Sequence, residues 1–182
     1  LFSEGNSEAI SLNNNVHIKG EKFTYNKNLK KIIVEDNVII DDRDKNNKIF
    51  SNKITYFVDQ EKFITSGKTR ALINLEYDFK SSDVIFLKKL NQLSSKKDTT
   101  ILDKNSQLYK LSNFIYNINK EELKGENILI TTNYGLPKSD KFYFANAIIN
   151  LSKKKFLASD TKIRIHKNIF SNNDNDPRLT GV

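Results

Sequence analysis

The sequence predicts an all-β fold, built from antiparallel hairpins that recur about every thirty residues. Short runs rich in Ile, Val, Phe, Tyr and Thr alternate with clusters of Asn, Asp, Lys and Ser, a pattern typical of strands joined by turns. Helical periodicity is hard to find along the chain. The 37% of hydrophobic residues can fill a core, and two prolines and six glycines are too few for a disordered chain.

The strands are expected where the apolar runs lie, and alternate residues of a run share a face, as do Ile54, Tyr56 and Val58. Two short segments, Lys88–Leu93 and Glu121–Leu123, could instead form helical turns. The runs that most clearly predict strands are Lys31–Ile40, Lys53–Asp59, Lys62–Leu75, Asp83–Leu87, Leu108–Asn119, Asn127–Thr132, Lys141–Leu151 and Thr161–Lys167.

Four segments of the chain share one order of features: a strand, a polar turn, an apolar residue or pair, and then Gly or Asp. Their anchors Tyr25, Tyr56, Tyr116 and Ile149 lie about thirty residues apart, except for one double gap. A degenerate copy around Tyr77–Leu87 would fill that gap. The repeat predicts stacked β-hairpins that form a rolled sheet or a solenoid, each unit burying its apolar face against the next.

The two ends of the chain differ from the repeats. Residues 1–15 are polar and are expected to be flexible or to supply an edge strand through Ala9–Leu12. Residues 16–170 form the predicted domain, and residues 171–182 begin with the Asn/Asp/Pro composition of an exposed linker.

The net charge of +8 favours an acidic partner, which could be nucleic acid, an anionic membrane or a phosphorylated glycolipid. Nucleic-acid modules concentrate basic residues with aromatics on one face. Here the lysines are scattered at expected turns and the aromatics belong to the apolar runs, so nucleic acid is not the predicted partner.

Residues with catalytic or metal-binding chemistry are sparse. The absence of cysteine excludes disulfides and thiolate metal sites, and His17 and His166 are expected on polar strand faces. The segment Asp41–Asn46 spaces oxygen ligands like a calcium loop, but it lacks the central Gly and the closing Glu. No Ser or Thr is marked as a nucleophile with a paired base. The sequence therefore predicts a non-enzymatic domain without metal or cofactor.

The apolar residues of the predicted strands are the remaining candidates for a functional site. They either fill a closed core or line a groove for acyl chains. Each methylene group buried in such a groove contributes roughly 0.8 kcal/mol. The candidate groove residues are selected by alternation alone. An error of one residue in the register of a strand would therefore place that strand's candidates on the outer face. The candidates are Tyr25, Ile33, Ile54, Tyr56, Val58, Ile64, Phe86, Tyr116, Ile118, Ile128, Ile130, Phe142, Phe144, Ile148, Ile163 and Ile165.

The end of the chain carries a more specific pattern: Ala158–Phe170, then Asn173–Asp176, then Pro177–Gly181. This pattern resembles the strand, the His-Lys-x-Ile-Phe-like segment and the Asn/Asp-Pro-Arg-Leu-x-Gly sequence of LptD-type proteins. The hairpins from Phe23 to Ile165 are similar to those of the OstA-like β-jelly-roll family, which includes the N-terminal part of LptD-type proteins. The resemblance implies a roll of V-shaped antiparallel sheets on the periplasmic face of the outer membrane of a Gram-negative bacterium.

The resemblance also implies a function in lipopolysaccharide transport and outer-membrane assembly. The domain would receive lipopolysaccharide in its apolar groove from an LptA-like periplasmic bridge protein, docked by edge-strand pairing. It would pass the lipid to an outer-membrane barrel with an LptE-like lipoprotein plug, reached through the linker 171–182.

Two alternatives stay open at this point. An LptA/LptC-like bridge protein of the same fold would end near Phe170 and need no linker to a barrel. A β-solenoid adhesin or glycan-binding module would instead have a closed, dry core and would expose its aromatics on an outer face.

Overall fold

The computed structural model describes residues 2–11, 16–166 and 178–181, and this part of the chain is all-β, without an α-helix. Single 3₁₀ turns at Arg43–Lys45 and Lys88–Leu90 join β3 to β4 and β7 to β8. The strands are β1 Phe2–Ser11, β2 Val16–Asn26, β3 Lys31–Asp42, β4 Asn47–Phe57, β5 Lys62–Ile73, β6 Tyr77–Ser82, β7 Ile85–Leu87, β8 Gln92–Ser95, β9 Thr99–Asp103, β10 Leu108–Leu111, β11 Asn113–Asn117, β12 Glu122–Thr131, β13 Lys141–Asn150, β14 Lys155–Ser159, β15 Thr161–Arg164 and β16 Arg178–Gly181.

The strands form one antiparallel sheet in which long strands pair with pairs of short ones. One edge of β5 pairs with β7 through Lys62–Ile64 and with β6 through Lys68–Ile73. β12 pairs in the same way with β11 and β10. The pairings therefore form a closed ring, β5–β6–β9–β10–β12–β11–β8–β7 and back to β5, from which β1–β4 and β13–β16 extend.

Most of the long strands are interrupted near their middle, and the interruptions line up across the sheet in a feature we call the crease. In β2, β3 and β4 it is a register shift, and between β6 and β7 it is the break before Ile85. Gly and Asn/Asp adopt positive φ at lower cost than other residues, which suits them to this position. Positive φ at the crease occurs at Gly5, Asp36, Asn37, Gly67, Asp83, Asn127 and Asp160.

The crease divides the sheet into two half-sheets. The first half-sheet ends in the turns 27–30, 58–61, 88–91, 118–121 and 151–154, and the second ends in the turns 43–46, 74–76, 104–107 and 132–140. Aromatic contacts join the two: Phe79 of β6 lies 5.5 Å from Phe114 and 5.1 Å from Tyr116 of β11 between ring centroids. Because β6 and β11 are not hydrogen-bonded neighbours, the half-sheets face each other across the core.

Buried hydroxyls hold the crease. Thr69 Oγ1 donates to Thr65 Oγ1 at 2.6 Å, and Thr65 Oγ1 in turn accepts from the backbone N–H of Val84 at 2.8 Å. Ser95 Oγ donates to the carbonyl oxygen of Ser82 at 2.6 Å. The last two bonds pair backbone groups of Val84 and Ser82 at the break between β6 and β7. Buried Ser and Thr at the crease are thus structural.

The long predicted strands agree with the structure within about two residues at β3, β5 and β13. β4 begins six residues before its predicted start at Lys53, and the predicted run Leu108–Asn119 is two strands, β10 and β11, separated at Ser112. Of the two expected helical turns, Lys88–Leu93 holds a 3₁₀ turn followed by β8, whereas Glu121–Leu123 enters β12.

The thirty-residue spacing corresponds to the turns of the first half-sheet. Residues with positive φ close these turns at Lys30, Glu61, Asn91, Glu121 and Lys154, so each unit is two bent strands and two turns. Asn91 occupies the double gap left by the sequence repeat.

The terminal segments are described in part. β1 pairs with β2 and β16 pairs with β15. Residues 171–177 and 182 of the predicted linker and the last residue of the predicted strand Thr161–Lys167 lie outside the described residues.

Candidate functional site

The interior between the half-sheets is the largest apolar region of the described chain. It forms a single hydrophobic cluster that extends from Val16 on β2 to Leu151 after β13. The largest side chains with less than 2% exposure are Tyr116, Phe79, Ile40, Ile54, Ile73, Leu93, Ile101, Leu123, Ile128, Leu151, Val34 and Val38. The protein's own side chains fill this interior.

Many of the predicted groove residues lie in this interior. Tyr56 and Phe142 are half-buried and pack against the cluster. The candidates that are fully part of it are Ile54, Phe86, Tyr116, Ile118, Ile128, Ile130 and Phe144.

Three candidates face outward, contrary to the predicted alternation. Ile33 lies between Ile32 and Val34, both of which pack in the core. Ile64 likewise follows the buried Phe63, and Ile148 precedes the buried Ile149. In each case two apolar residues are adjacent, and alternation cannot decide which of the two faces inward.

The other candidates lie at the margins. Tyr25 and Val58 are 36% and 37% exposed at the ends of β2 and β4. Ile163 is half-buried on β15 opposite Phe142, and Ile165 is half-buried just after that strand. The structure thus brings the central candidates together and leaves these four at the rim.

The outward isoleucines belong to one cross-strand row, here called the outer row, which the sequence analysis missed. Ile115 is 46% and Leu157 is 75% exposed. The adjacent apolar pairs were the available signal, because each pair contributes one residue to the core and one to this row. Its successive cross-strand partners are Thr24, Ile33, Thr55, Ile64, Ile85, Ser94, Ile115, Lys124, Ile148 and Leu157.

The ionisable groups inside are poorly suited to acid–base chemistry. Burial raises the pKa of Tyr77 to about 12 and raises the pKa values of Tyr109 and Tyr116 as well, so these phenols stay neutral. The Tyr116 hydroxyl is buried without a hydrogen-bond partner. Within the described ranges, no three His, Cys, Asp or Glu side chains are grouped to hold a metal ion. The arrangement can enclose apolar material.

The half-sheets also meet at their turns, along a boundary that we call the tip seam. It lies between turns 43–46 and 74–76 of the second half-sheet and turns 88–91 and 118–121 of the first. Lys45 Nζ donates to Asn91 Oδ1 across it. A polar cleft of about 390 Å³ runs along the seam and is lined by Asp44, Lys45, Asn46, Asn74, Ile118, Asn119 and Glu121.

Asp42 and Lys88 add charge to the tip seam. Asp42 is 2% exposed, and one of its carboxylate oxygens has no hydrogen-bond partner. Burial raises the pKa of Asp42 and lowers the pKa of Lys88, while each charge partly offsets the other's shift. The boundary between the turns is therefore polar although the interior behind it is apolar.

A larger open cleft of about 780 Å³ lies near the C-terminal strands β12 to β16. Leu129, Tyr143 and Phe144 supply its apolar lining, and Lys162 and Arg178 are basic residues at the same cleft. Arg164 adds a third basic residue to this lining, and Asp160 adds one carboxylate.

In the described part of the chain, no helix has the length and apolar character needed to cross a membrane. No protein-family model matches the chain, and no curated protein matches it.

Proposed function

We propose that the protein is a lipid-holding domain in lipopolysaccharide transport, with the acyl chains held between the two half-sheets. The observation that carries the proposal is the continuous apolar interior from β2 to β13, enclosed by a single creased sheet. Methylene groups that leave water for such an apolar interior each contribute roughly 0.8 kcal/mol.

The finer fold in this proposal is an OstA-like β-jelly roll. The crease gives each long strand two arms, which is the geometry expected of V-shaped antiparallel sheets. The cleft beside Lys162 and Arg178 supports a phosphorylated glycolipid as cargo, because a phosphate group would lie favourably near those charges.

The remaining elements of the proposal are the location and the partners. β14 pairs with β13 on one edge, and no strand of the described residues pairs with its other edge. An unpaired edge supports docking of an LptA-like bridge protein by strand addition. The domain would work on the periplasmic face of the outer membrane and deliver lipid to a barrel with an LptE-like plug.

A glycan-binding or adhesin module is the second candidate, and the filled interior favours it. Most large aromatics argue the other way, because Phe63, Phe79, Phe86 and Phe114 are buried inside rather than exposed as a glycan platform. An LptA/LptC-like bridge protein would share the interior, and it would differ in its partners and in needing no linker to a barrel.

Site-specific photo-crosslinking tests the lipid proposal. A photoreactive residue replaces inward Phe86 or Tyr116, or outward Ile85 on the same strand as Phe86, in full-length protein made by Gram-negative cells with labelled lipopolysaccharide. We expect labelled adducts at Phe86 and Tyr116 and far fewer at Ile85. Absence of adducts at both inward positions, while the protein remains folded by circular dichroism, would contradict the proposal.

A further inference from the structure

The interior has several boundaries, and they differ in the free energy that is needed to open them. Backbone ladders close the sheet from β2 to β13, so a ligand passing between neighbouring strands would have to break several hydrogen bonds at once. The crease is likewise held by the buried hydroxyls of Thr65, Thr69 and Ser95. Neither boundary offers a low-cost passage.

Apolar contacts close the C-terminal end of the interior. The ring centroid of Phe156 on β14 lies 4.7 Å from that of Phe144 and 6.3 Å from that of Phe142, both on β13. Separating such rings exposes apolar surface to water, which is unfavourable in proportion to the area exposed. This end is thus an expensive boundary as well.

The tip seam is different because polar groups close its outer surface. Behind them, the rings of Tyr77 and Tyr116 lie 6.2 Å apart between centroids. The bond from Lys45 to Asn91 and the attraction between Asp42 and Lys88 can be exchanged for water when the turns separate. A hydrogen bond exchanged in this way makes only a small net contribution to stability, because water replaces the lost partner. The cleft along the seam already admits solvent between the two sets of turns.

We infer that the tip seam is the access route to the interior, and that the hydrogen bond from Lys45 to Asn91 is the polar contact that opposes its opening. The half-sheets swing apart about the crease, and an amphiphile enters sideways with its polar head left at the turns. This inference rests on the proposed lipid-holding function and adds the route and the residues that control it.

Opening is coupled to the ligand. When the half-sheets separate, the contacts of Phe79 with Phe114 and Tyr116 are lost to water if the interior stays empty. Acyl chains that enter replace these contacts. The seam therefore stays closed in the free protein and opens when an amphiphile is present.

The absence of cysteine allows a clean crosslinking test. In otherwise unchanged protein, the pair Lys45→Cys and Asn91→Cys is joined across the seam by a short bismaleimide. The matched control joins Lys80→Cys to Thr100→Cys, which are cross-strand partners of β6 and β9 within the second half-sheet. Loading is measured with fluorescent lipid A, and circular dichroism checks that both crosslinked proteins keep their fold.

We expect the uncrosslinked and control proteins to load lipid A, and the protein crosslinked across the seam to load at least tenfold more slowly. Equal loading of all three would overturn the seam as the route and leave the lipid proposal standing. Failure of all three to load would instead overturn the lipid proposal, and the seam inference with it. Spin labels on the same two cysteines provide a second readout, since their separation should increase on adding lipid A.

The single variant Lys45→Ala is expected to raise the rate of loading, whereas the crosslink is expected to lower it. Loss of the bond to Asn91 favours the open seam, so lipid A should load about fivefold faster, the factor expected for one hydrogen bond of about 1 kcal/mol. Lys80→Ala, which removes a lysine away from the seam, should leave the rate unchanged. Unchanged loading in Lys45→Ala would show that this contact does not control the route.

Discussion

Tyr116 and Tyr109 are both buried, but only the hydroxyl group of Tyr109 has a hydrogen-bond partner. The two residues can therefore be compared by the same substitution. The Tyr116 hydroxyl has no partner, whereas the Tyr109 hydroxyl donates to Gln107 Oε1 at 2.9 Å. A buried polar group left unpaired costs about 1–3 kcal/mol, and a satisfied one contributes about 1 kcal/mol. We expect Tyr116→Phe to raise the free energy of unfolding by about 1 kcal/mol and Tyr109→Phe to lower it by about as much, measured by urea unfolding. Equal effects of the two substitutions would contradict the assigned environments.

Asp42 predicts a pH-dependent effect on stability. Burial raises the pKa of its carboxyl group, so the folded state favours the protonated form. The resulting penalty is absent below the unfolded-state pKa of about 3.9 and grows as the pH rises through the folded-state value. Relative to the unsubstituted protein, Asp42→Asn should therefore raise the free energy of unfolding more at pH 7 than at pH 4, as measured by urea unfolding at the two pH values.

Exposed Asp98 is the control for Asp42. Asp98→Asn should shift the free energy of unfolding by less than about 0.5 kcal/mol at both pH values, as is usual for a surface substitution. If the two asparagine variants show the same dependence on pH, the buried environment of Asp42 is not its cause.

Single residues also mark the limit of what the sequence could predict about the site. Apolar residues with a polar neighbour on each side, such as Ile54 and Ile118, were assigned to the correct face. Ile33, Ile64 and Ile148 were not, because each stands beside a second apolar residue that takes the inward position. Only the pairing of strands resolves that ambiguity, and pairing is a long-range property.

At the scale of the element, the crease depends on close approach at Gly125 in β12. A Cβ atom there would meet Leu111 Cδ1 at 2.7 Å and the carbonyl oxygen of Asn113 at 2.9 Å. Because one of these atoms is backbone, Gly125→Ala should lower the free energy of unfolding by about 1–3 kcal/mol. Gly181, which has nothing within 4 Å of such a Cβ atom, supplies the control, and Gly181→Ala should be close to neutral in the same denaturant titration.

The elements that the sequence predicted are those with dense apolar alternation. β3, β5 and β13 have it, while β8 and β9 lie in a stretch rich in Ser, Lys and Thr and bury mainly Leu93 and Ile101. Their strand conformation is stabilised by neighbouring strands, which form hydrogen bonds with both edges of β8 and of β9. The crease was visible as a recurrent Gly or Asp after each apolar residue or pair, but a local pattern cannot show that such positions align across a sheet.

At the scale of the molecule, the closed ring of pairings predicts cooperative unfolding. The chain has no Trp, so Tyr56→Trp and Phe142→Trp each introduce one fluorescent probe near opposite ends of the core. We expect each variant's Trp fluorescence and its far-UV circular dichroism to show the same urea midpoint, because one hydrophobic cluster joins both regions. Stacked hairpins that unfold independently from the ends would instead separate the two signals.

The all-β architecture could be predicted from alternation and turns, whereas the lipid could not. Apolar stripes of this kind fill a closed core as readily as they line a groove, and here they do fill one. The proposed cargo depends on the resemblance of the segment Ala158–Gly181, and residues 167–177 of that segment lie outside the described chain.

Because of the crease, the width of the interior and its length are set independently of each other. Each arm's residue count sets the width, while the number of strands sets the length, at roughly 4.8 Å a strand. Duplicating or deleting one thirty-residue unit would thus lengthen or shorten the enclosed path by roughly 10 Å without altering its cross-section. In a protein built in this way, the length of the enclosed path can therefore be adjusted through the number of repeated units.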